Sequence, residues 1–274
     1  MDGPVVSLIV PTFERPASLH LALTSLNCQT ALSAGDMEII VADDGSQDST
    51  ADIVSRFRRK SRFPVQFTTH SHDGFQLAKT RNDGVRVSKA PYLVFLDGDC
   101  VAPHDHVAQH LLRRRPQTVM GGYCYYIDRD TSAQIDQAAV EAGRFNEWPT
   151  REQKKKLTRL DWKSRLYSLM RHPNRPKLYG GAFGMWRRDY EAVNGFNEDY
   201  TGWGCEDDEF RMRLKRAGLR IRSILRWTRT YHLWHPPAPS CPQRWQDGPN
   251  VERLLREAQQ PSSRCIRGLQ KTAA

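Results

Sequence analysis

Apolar and polar residues alternate along the first part of the chain in a rhythm of buried strands and amphipathic helices. Apolar runs rich in β-branched residues predict buried parallel strands at 5–10, 37–42, 64–69 and 92–96. Between these runs, apolar positions recur at helical spacing over 16–28, 49–57 and 77–87. This order predicts an α/β fold with a mostly parallel, doubly wound central sheet flanked by helices. Ligands bind such sheets beyond the carboxyl ends of the strands.

The second half of the chain has a less regular pattern. It predicts strands at 120–127 and 221–231, a glycine-rich strand or loop at 179–186, and helices at 154–170, 188–193 and 206–217. The proline-rich run 236–239 predicts the end of the compact domain. We therefore expect a single compact domain made of two halves, followed by a tail; the boundaries are 1–115, 116–235 and 236–274.

Composition narrows the class of protein. Of the 274 residues, 39% are hydrophobic and 26% are charged, which is typical of a soluble globular protein. No apolar run approaches the ~20 residues of a membrane-spanning helix, and the first residues lack a signal-peptide pattern. The six cysteines form no Cys-x-x-Cys pair, which argues against a zinc ribbon or a redox motif. These features predict a reduced, cytoplasmic protein.

Positive charge is unevenly distributed along the chain. The formal net charge is +10, and basic residues concentrate in two blocks, 151–177 and 211–229. Such blocks favour phosphates, acidic glycans, anionic lipid surfaces or nucleic acid, unless they only form a solvated face. We expect the basic helix at 154–170, with Trp162 and Leu166 on its apolar side, to face an anionic membrane or a phosphorylated acceptor. The alternative is an ordinary amphipathic helix packed on the sheet.

Two aspartates separated by a glycine follow the fourth predicted strand. Asp97 and Asp99 can hold a divalent metal against substrate phosphates, because Mg²⁺ and Mn²⁺ accept carboxylate oxygens. Such a metal would neutralise a leaving diphosphate as a Lewis acid. An ordinary acidic turn is the alternative, but the position after a buried strand favours a site. His232 and His235 could complete the metal site or be structural.

Other polar residues lie at the ends of predicted elements. Asp44 follows the second strand and can accept a hydrogen bond from a base or a ribose, or belong only to a helix-capping turn. Arg81 could face a diphosphate or a base edge, or remain in solvent on its helix. Both positions are compatible with a nucleotide site at the strand ends.

An aromatic residue precedes a run of acids at 206–209. Carbohydrate packs well on an indole such as that of Trp203, and the flanking glycines permit close approach. A helix N-terminus stabilises ionised carboxylates, and one of them can act as general base toward an acceptor hydroxyl. The alternative is a structural acidic helix start with Trp203 in the core. Because neighbouring helical residues project about 100° apart, only one of Asp207 and Asp208 can face the cleft.

In combination, these motifs resemble the family 2 glycosyltransferases of the GT-A fold. The N-terminal segments that carry the resemblance occur in the family's order and spacing: 6–13, 41–46, 78–84 and 95–99. The later stretches 180–182 and 196–207 are similar to a region shared by β-1,4-galactosyltransferases, polypeptide N-acetylgalactosaminyltransferases and bacterial chondroitin-type polymerases. The resemblance implies a GT-A (Rossmann-like) domain in which 1–115 bind the nucleotide sugar and 116–235 bind the acceptor and carry catalysis.

The resemblance also implies a role for each candidate residue. The implied nucleotide-sugar contacts, with Asp44 on uracil, are Pro11, Phe13, Glu14, Asp44, Arg81, Asp97 and Gly181. The implied metal ligands, with Asp99 the most direct, are Asp99, Asp97, His232 and His235. On the acceptor side, Asp207 is the implied base, Glu206 holds the acceptor, and Trp203 and Asp208 line its site.

The resulting prediction is a metal-dependent inverting glycosyltransferase. It would move a hexose or N-acetylhexosamine from a UDP-sugar to a glycan or lipid-linked acceptor, with Mn²⁺ or Mg²⁺, in bacterial surface polysaccharide or lipopolysaccharide synthesis. A nucleotidyltransferase on a similar fold is one alternative, but residues 11–14 do not form the glycine-rich phosphate loop it needs. A basic nucleic-acid-binding protein is another, which the carboxylate clusters oppose, and we expect no nucleic-acid partner.

Overall fold

The computed structural model describes residues 3–172 and 175–271. The strands in these ranges are β1 (Val6–Thr12), β2 (Met37–Asp43), β3 (Val65–Thr69), β4 (Tyr92–Leu96), β5 (Cys100–Val101), β6 (Thr118–Gly121), β7 (Cys124–Tyr126), β8 (Ala182–Trp186), β9 (Arg220–Ser223) and β10 (Thr230–His232). The α-helices are α1 (Pro16–Asn27), α2 (Thr50–Arg58), α3 (Leu77–Val87), α4 (His106–Arg113), α5 (Arg129–Ala133), α6 (Gln137–Glu141), α7 (Arg151–Leu169), α8 (Arg187–Ala192), α9 (Glu206–Arg216) and α10 (Val251–Ala258).

The main sheet confirms the predicted α/β fold. Its strand order is β3-β2-β1-β4-β8-β6-β9. Strands β1 to β4 are parallel to one another, and β8 runs antiparallel between β4 and β6. Every residue of β1, β2 and β4 is buried, as expected for strands covered on both faces. The carboxyl ends of these strands therefore form one edge, where the polar loops meet.

Two apolar layers hold helices against the opposite faces of the sheet. Successive side chains of a strand point to opposite faces, so Leu8 and Val10 of β1 enter one layer and Ile9 enters the other. The first layer includes Leu23 of α1, and the second includes Phe210 of α9. The apolar residues of β1 therefore pack against helices on both faces of the sheet.

The second half differs from its prediction because two expected strands are each divided. The segment predicted at 120–127 breaks at Gly122, whose N–H donates to the Ala182 carbonyl, and forms β6 and β7 in separate sheets. The segment predicted at 221–231 likewise divides into β9 and β10. The small sheet has the order β5-β10-β7, and its β5–β10 pairing sets His232 opposite Cys100. A continuous apolar pattern does not reveal where a chain changes sheets.

The C-terminal segment packs on the domain, contrary to the expectation that the compact part ends before residue 236. Val251 and Leu254 of α10 are buried with Tyr200. Farther along, Arg86 donates to the Gly268 carbonyl. The segment has few apolar residues, but they are enough to hold it in place because they pack against residues of the domain. No helix in residues 3–172 and 175–271 is long and apolar enough to cross a membrane.

Candidate active site

Backbone hydrogen bonds join the loops at the carboxyl edge of the sheet. Gly98 N–H donates to the Pro11 carbonyl at 2.9 Å, and Asp44 N–H donates to the Thr12 carbonyl at 3.0 Å. A Cβ at position 98 would press against the Pro11 carbonyl, so the glycine between the two aspartates permits this approach. The loops that follow β1, β2 and β4 therefore form one connected surface.

Asp44 lies in a set of contacts on the proposed nucleotide side. Its buried carboxylate lies 2.8 Å from His70 Nε2 and accepts from the Gln76 N–H at 3.0 Å. His72 Nδ1 lies 2.8 Å from the Asp44 carbonyl oxygen, and its ring stacks on Phe13 with centroids 4.2 Å apart. The paired rings offer a flat surface beside a fixed carboxylate. The sequence analysis missed both histidines, although they follow the third strand at the same edge.

Two other predicted nucleotide contacts lie in the loop after β1. Pro11 is buried near the end of β1 and accepts the Gly98 bond described above. Glu14 is exposed, has a left-handed φ of 45°, and donates its N–H to Ser46 Oγ at 2.8 Å. These contacts connect the β1 and β2 loops and leave the Glu14 side chain in solvent.

Arg81 gathers three carboxylates in a buried cluster. Its guanidinium lies 3.3 Å from Asp97, 3.4 Å from Glu206 and 3.2 Å from Asp207. The Arg81 side chain is 1% exposed and lies over the Phe196 ring, 4.9 Å from its centroid. This placement differs from the expected contact with a nucleotide, and it makes Arg81 a residue that positions the acids.

The acid cluster carries more negative than positive charge. Burial lowers the pKa of Arg81, but the three carboxylates outweigh it and raise that pKa, so Arg81 remains charged. Burial also raises the pKa of Asp97 and Glu206, against the opposing charge of Arg81. For Asp207, burial and then the charge of Glu206 raise the pKa to about 7. A carboxyl group with such a pKa suits general-base chemistry near neutrality.

Two consecutive glycines allow the backbone to lie against these acids. Gly180 N–H donates to Asp207 Oδ2 at 2.8 Å. A Cβ at position 180 would clash with Asp207 and Arg81, and one at position 181 would clash with Asp97. Gly181 was among the predicted site residues, whereas Gly180 was missed.

The start of helix α9 separates its first acids. The helix begins at Glu206, after Cys205 in a left-handed conformation with φ 72°. Asp207 points to Gly180 and Arg81, as described above, whereas Asp208 lies 3.3 Å from Arg211 Nε and 3.7 Å from Lys177 Nζ. Only the first of these two aspartates belongs to the acid cluster.

Trp203 is held in a loop directly before this helix. The loop is fixed by Gly202 N–H, which donates to the Phe75 carbonyl at 2.7 Å, and by Asn250 Nδ2, which donates to the Gly204 carbonyl at 2.9 Å. The indole is 37% exposed, so Trp203 is not a core residue. Asn250 belongs to the segment expected to be a tail, and no local sequence pattern indicates its role.

Asp99 lies at the centre of a second cluster, formed where β5 pairs with β10. Its carboxylate lies 3.2 Å from His235 Nε2 and 3.6 Å from His232 Nε2. Arg15, another residue missed by the sequence analysis, donates to Asp99 Oδ2 at 2.9 Å. Burial raises the pKa of Asp99, but the hydrogen bond with His235 and the charges of His232, His235 and Arg15 lower it to about 2.

The donor atoms of this second cluster fit a divalent metal. The Asp99, His232 and His235 donor atoms lie within 4.8 Å of one another. His235 Nδ1 lies 2.6 Å from the Pro236 carbonyl, so a neutral His235 would carry its proton on Nδ1 and leave the Nε2 lone pair toward Asp99 for a metal. A cation between two such donors removes their repulsion. One carboxylate with two imidazoles suits Mn²⁺ better than Mg²⁺ or Ca²⁺.

Asp97, the other aspartate of the turn, was also expected to be a metal ligand. It does not belong to the metal-ligating group found among residues 3–172 and 175–271. Its Oδ1 lies 3.3 Å from the Arg81 guanidinium, and its backbone N–H donates to the Gly181 carbonyl at 3.3 Å. The two aspartates of the turn therefore serve different clusters. Asp97 links the two clusters along the chain, because it contacts Arg81 and lies two residues before Asp99.

Comparison with known proteins agrees with this geometry. The family model of glycosyl transferase family 2 matches residues 7–193. The chain belongs to glycosyl transferase family 2. It is therefore an enzyme. A second family model, described as the N-terminal domain of galactosyltransferase, matches residues 163–236.

A relative supports the same assignment, and solved structures share the fold. Validoxylamine A glucosyltransferase of Streptomyces hygroscopicus subsp. jinggangensis is 30% identical over 79% of this chain, which spans 52% of that relative. A mannosyltransferase from Pyrobaculum calidifontis, solved with GDP-Man and Mn²⁺, has a TM-score of 0.58 at 18% identity and covers 81% of this chain and 55% of its own. Staphylococcus aureus TarS 1-349, solved with UDP, has a TM-score of 0.59 at 15% identity. The match covers 92% of this chain and 64% of the TarS chain. These structures show the GT-A fold.

Proposed function

We propose that the chain transfers a hexose or N-acetylhexosamine from a UDP-sugar to a hydroxyl of a glycan or lipid-linked acceptor. The observation that carries the proposal is the presence of two different clusters at one edge of the sheet. Asp99, His232 and His235 form a group whose donor atoms would fit a divalent metal. In the other cluster, Arg81 holds Asp207, whose pKa is raised to about 7, and the loop before its helix carries the exposed indole of Trp203.

The proposed reaction is a single displacement with inversion at the anomeric carbon. The acceptor hydroxyl gives its proton to the Asp207 carboxylate while its oxygen attacks that carbon. The bond between the anomeric carbon and the diphosphate oxygen breaks, and the nucleoside diphosphate leaves with the electron pair. Asp99, His232 and His235 would hold a divalent metal, which would supply positive charge against the leaving diphosphate. Arg81 and the Gly180 N–H hold Asp207 in the orientation described above.

The uridine donor is the finer part of the proposal. The family resemblance implies that Asp44 contacts uracil and that Phe13 lines the nucleotide, and the flat Phe13–His72 stack beside Asp44 supports this part of the proposal. Among structural neighbours, TarS was solved with UDP and the Pyrobaculum enzyme with GDP-Man. UDP and GDP are therefore the two donor nucleotides that a binding experiment must separate.

Donor turnover tests the proposal directly. Purified protein is incubated with UDP-glucose, UDP-galactose, UDP-N-acetylglucosamine, UDP-N-acetylgalactosamine or GDP-mannose, and nucleoside diphosphate release is measured with Mn²⁺ and with excess EDTA. We expect release from a UDP-sugar that requires the metal. Turnover of GDP-mannose alone would contradict the uridine donor. Release of pyrophosphate from a nucleoside triphosphate instead would indicate a nucleotidyltransferase.

The biological setting is a separate part of the proposal. Synthesis of bacterial surface polysaccharide or lipopolysaccharide is supported by the basic surface, which suits anionic glycans. Peripheral contact with an anionic membrane depends on helix α7 and not on the residues of the cleft.

A further inference from the structure

Helix α7 presents a stripe of large apolar side chains to solvent. Trp162 is 66% exposed and Leu169 is 83% exposed, and Leu166 and Met170 are exposed beside them. Met170 directly follows the last helical residue. Their spacing of i, i+4, i+7 and i+8 places these four side chains within about 100° of the helix circumference. We call them the outer stripe.

The opposite face of the same helix is packed against the domain. Leu157, Asp161 and Ser164 are buried, and Asp161 accepts a hydrogen bond from Ser223 Oγ of β9 at 2.6 Å. At about 100° per residue, this buried face is centred roughly opposite the outer stripe. The helix is therefore seated by one side, and core packing does not explain the apolar residues on the other.

Basic residues flank the outer stripe. Lys155, Lys156, Arg159, Lys163 and Arg165 are all exposed. None of them forms an ion pair with another residue in the described part of the chain. The Arg165 guanidinium lies over the Trp162 ring, 5.3 Å from its centroid. An apolar stripe between unpaired cations is the composition of a helix that lies in a membrane interface.

We propose that the outer stripe and its basic flanks dock on an anionic lipid surface. Nucleic acid would attract the bases but would leave Leu166, Leu169 and Met170 in water. A second copy paired through the same stripe would bring the two sets of cations together, which opposes association. An anionic membrane accommodates both the apolar and the basic residues. The docking proposal holds whether or not the proposed sugar transfer is correct.

The first turn of α7 lies close to the Asp99 cluster. Gln153, in the first turn of α7, donates to the carbonyl of Tyr126. The Tyr126 ring lies against that of His232, with centroids 4.9 Å apart. The metal-ligating group is therefore one residue removed from the start of the docking helix.

Vesicle co-sedimentation tests the docking. We expect the protein to bind vesicles of phosphatidylglycerol and phosphatidylcholine, with affinity that falls as salt is added, and not to bind phosphatidylcholine alone. The double variant Trp162→Ser/Leu166→Ser should lose at least about tenfold in vesicle affinity. Its matched control is Leu112→Ser, which removes a 68% exposed leucine from α4 and should leave binding unchanged.

A charge variant tests the basic flanks separately. Arg159→Ser/Lys163→Ser should weaken vesicle binding about thirtyfold, because each base near an anionic surface contributes about fivefold. Arg58→Ser/Lys60→Ser, which removes two exposed bases elsewhere, should have little effect. Equal far-ultraviolet circular dichroism spectra and thermal unfolding midpoints in all variants would show that the fold is retained.

Three results would overturn the docking proposal. The first is no binding to anionic vesicles at low salt. The second is vesicle binding that survives both α7 double variants. The third is a different occupant: retention on double-stranded DNA without vesicle binding, or a solution dimer that Leu166→Ser dissociates.

Discussion

The two aspartates of one turn, Asp97 and Asp99, meet opposite environments although only Gly98 separates them. Asp99 faces Arg15 and two histidines, and its pKa falls to about 2. Asp97 faces Arg81 within a group of acids, and its pKa is raised, first of all by burial. The difference shows that a motif of two carboxylates does not determine what each one does. Partners brought from distant parts of the chain decide it.

The same contrast extends to the two clusters as wholes. The Asp99 cluster gathers donor atoms that a divalent cation satisfies. The Arg81 cluster has three carboxylates and one guanidinium, so two negative charges are uncompensated when all three carboxylates are ionised. Buried like charges raise one another's pKa values. One cluster is thus suited to hold a cation, and the other to take up a proton.

Removing Asp99 should have the largest effect, because it deletes the central donor of the metal-ligating group. We expect Asp99→Ala to lose at least about a thousandfold in transfer rate, since a catalytic metal contributes several kcal/mol. Isothermal titration calorimetry should also show that Mn²⁺ no longer strengthens UDP binding. The folded state should persist, because Asp99 lies at the edge of the sheet and is not part of its apolar layers.

The matched control for this variant is Asp130→Ala, which removes an exposed aspartate from α5. It should behave like the parent protein. Unchanged Mn²⁺-dependent UDP affinity in Asp99→Ala would break the assignment of the metal to this cluster. The same measurement on His232→Ala and His235→Ala would show which imidazole contributes more.

Changing Asp207 should have the next largest effect and should separate the two clusters. We expect Asp207→Asn to lose about 10²–10⁴-fold in transfer rate, the usual contribution of a general base. UDP and Mn²⁺ should still bind, because the Asp99 cluster is intact. Asp208→Asn is the matched control, since Asp208 pairs with Arg211 and Lys177. Near-parental transfer by Asp207→Asn with an inactive Asp208→Asn would reassign the base.

The regular half of the fold could be predicted from sequence because its signals are local. Strands β1, β2 and β4 are buried along their whole length, so each appears as an uninterrupted apolar run. The second half was predicted less well, because β6 and β7 are separated only by Gly122 and Tyr123, within one apolar stretch. The break depends on a hydrogen bond to Ala182, which is distant in sequence.

The candidate site could likewise be predicted only in part, where its signals are local. Residue types and spacing pointed to Asp97, Asp99 and the acids of α9. Neither indicated that Asp97 would turn to Arg81, because that contact depends on how α3 and α9 pack over the sheet. Arg15 was missed for a similar reason: it approaches Asp99 across the β1 and β4 loops. Long-range packing sets these partners, and a single sequence does not display it.

Removing Arg81 should destabilise the fold by leaving buried acids without their cation. We expect Arg81→Met to lower the free energy of unfolding by about 3–5 kcal/mol at neutral pH. The loss should shrink in acid, because Glu206 and Asp207 can then be protonated and need no partner. Urea unfolding at neutral and acidic pH measures both values.

Arg56, an exposed arginine of α2, supplies the control. Arg56→Met should change the free energy of unfolding by no more than about 0.5 kcal/mol. A loss in Arg81→Met that is equally large in acid would show that Arg81 acts through packing on Phe196. The acid cluster would then not depend on its charge.

The pH dependence of Asp207 should give the smallest effect and the finest test of the comparison. Its pKa is raised from 3.8 to about 7, so the carboxyl group is protonated in the folded state below that pH. A protonated base is inactive, and the transfer rate should fall about tenfold per pH unit below neutrality. Asp207→Asn, assayed at its low residual rate, should lack this decline.

Stability should change in the opposite direction. Between about pH 4 and 7, the unfolded chain has released the Asp207 proton while the folded chain retains it, so the stability contributed by this group is lost as pH rises through about 7. The parent should therefore show a decline in the free energy of unfolding across this window that Asp207→Asn lacks. Profiles of rate and stability that are identical in parent and variant would mean that Asp207 is already ionised in acid. The acid cluster would then be no more strained than the Asp99 cluster, and the contrast between them would fail.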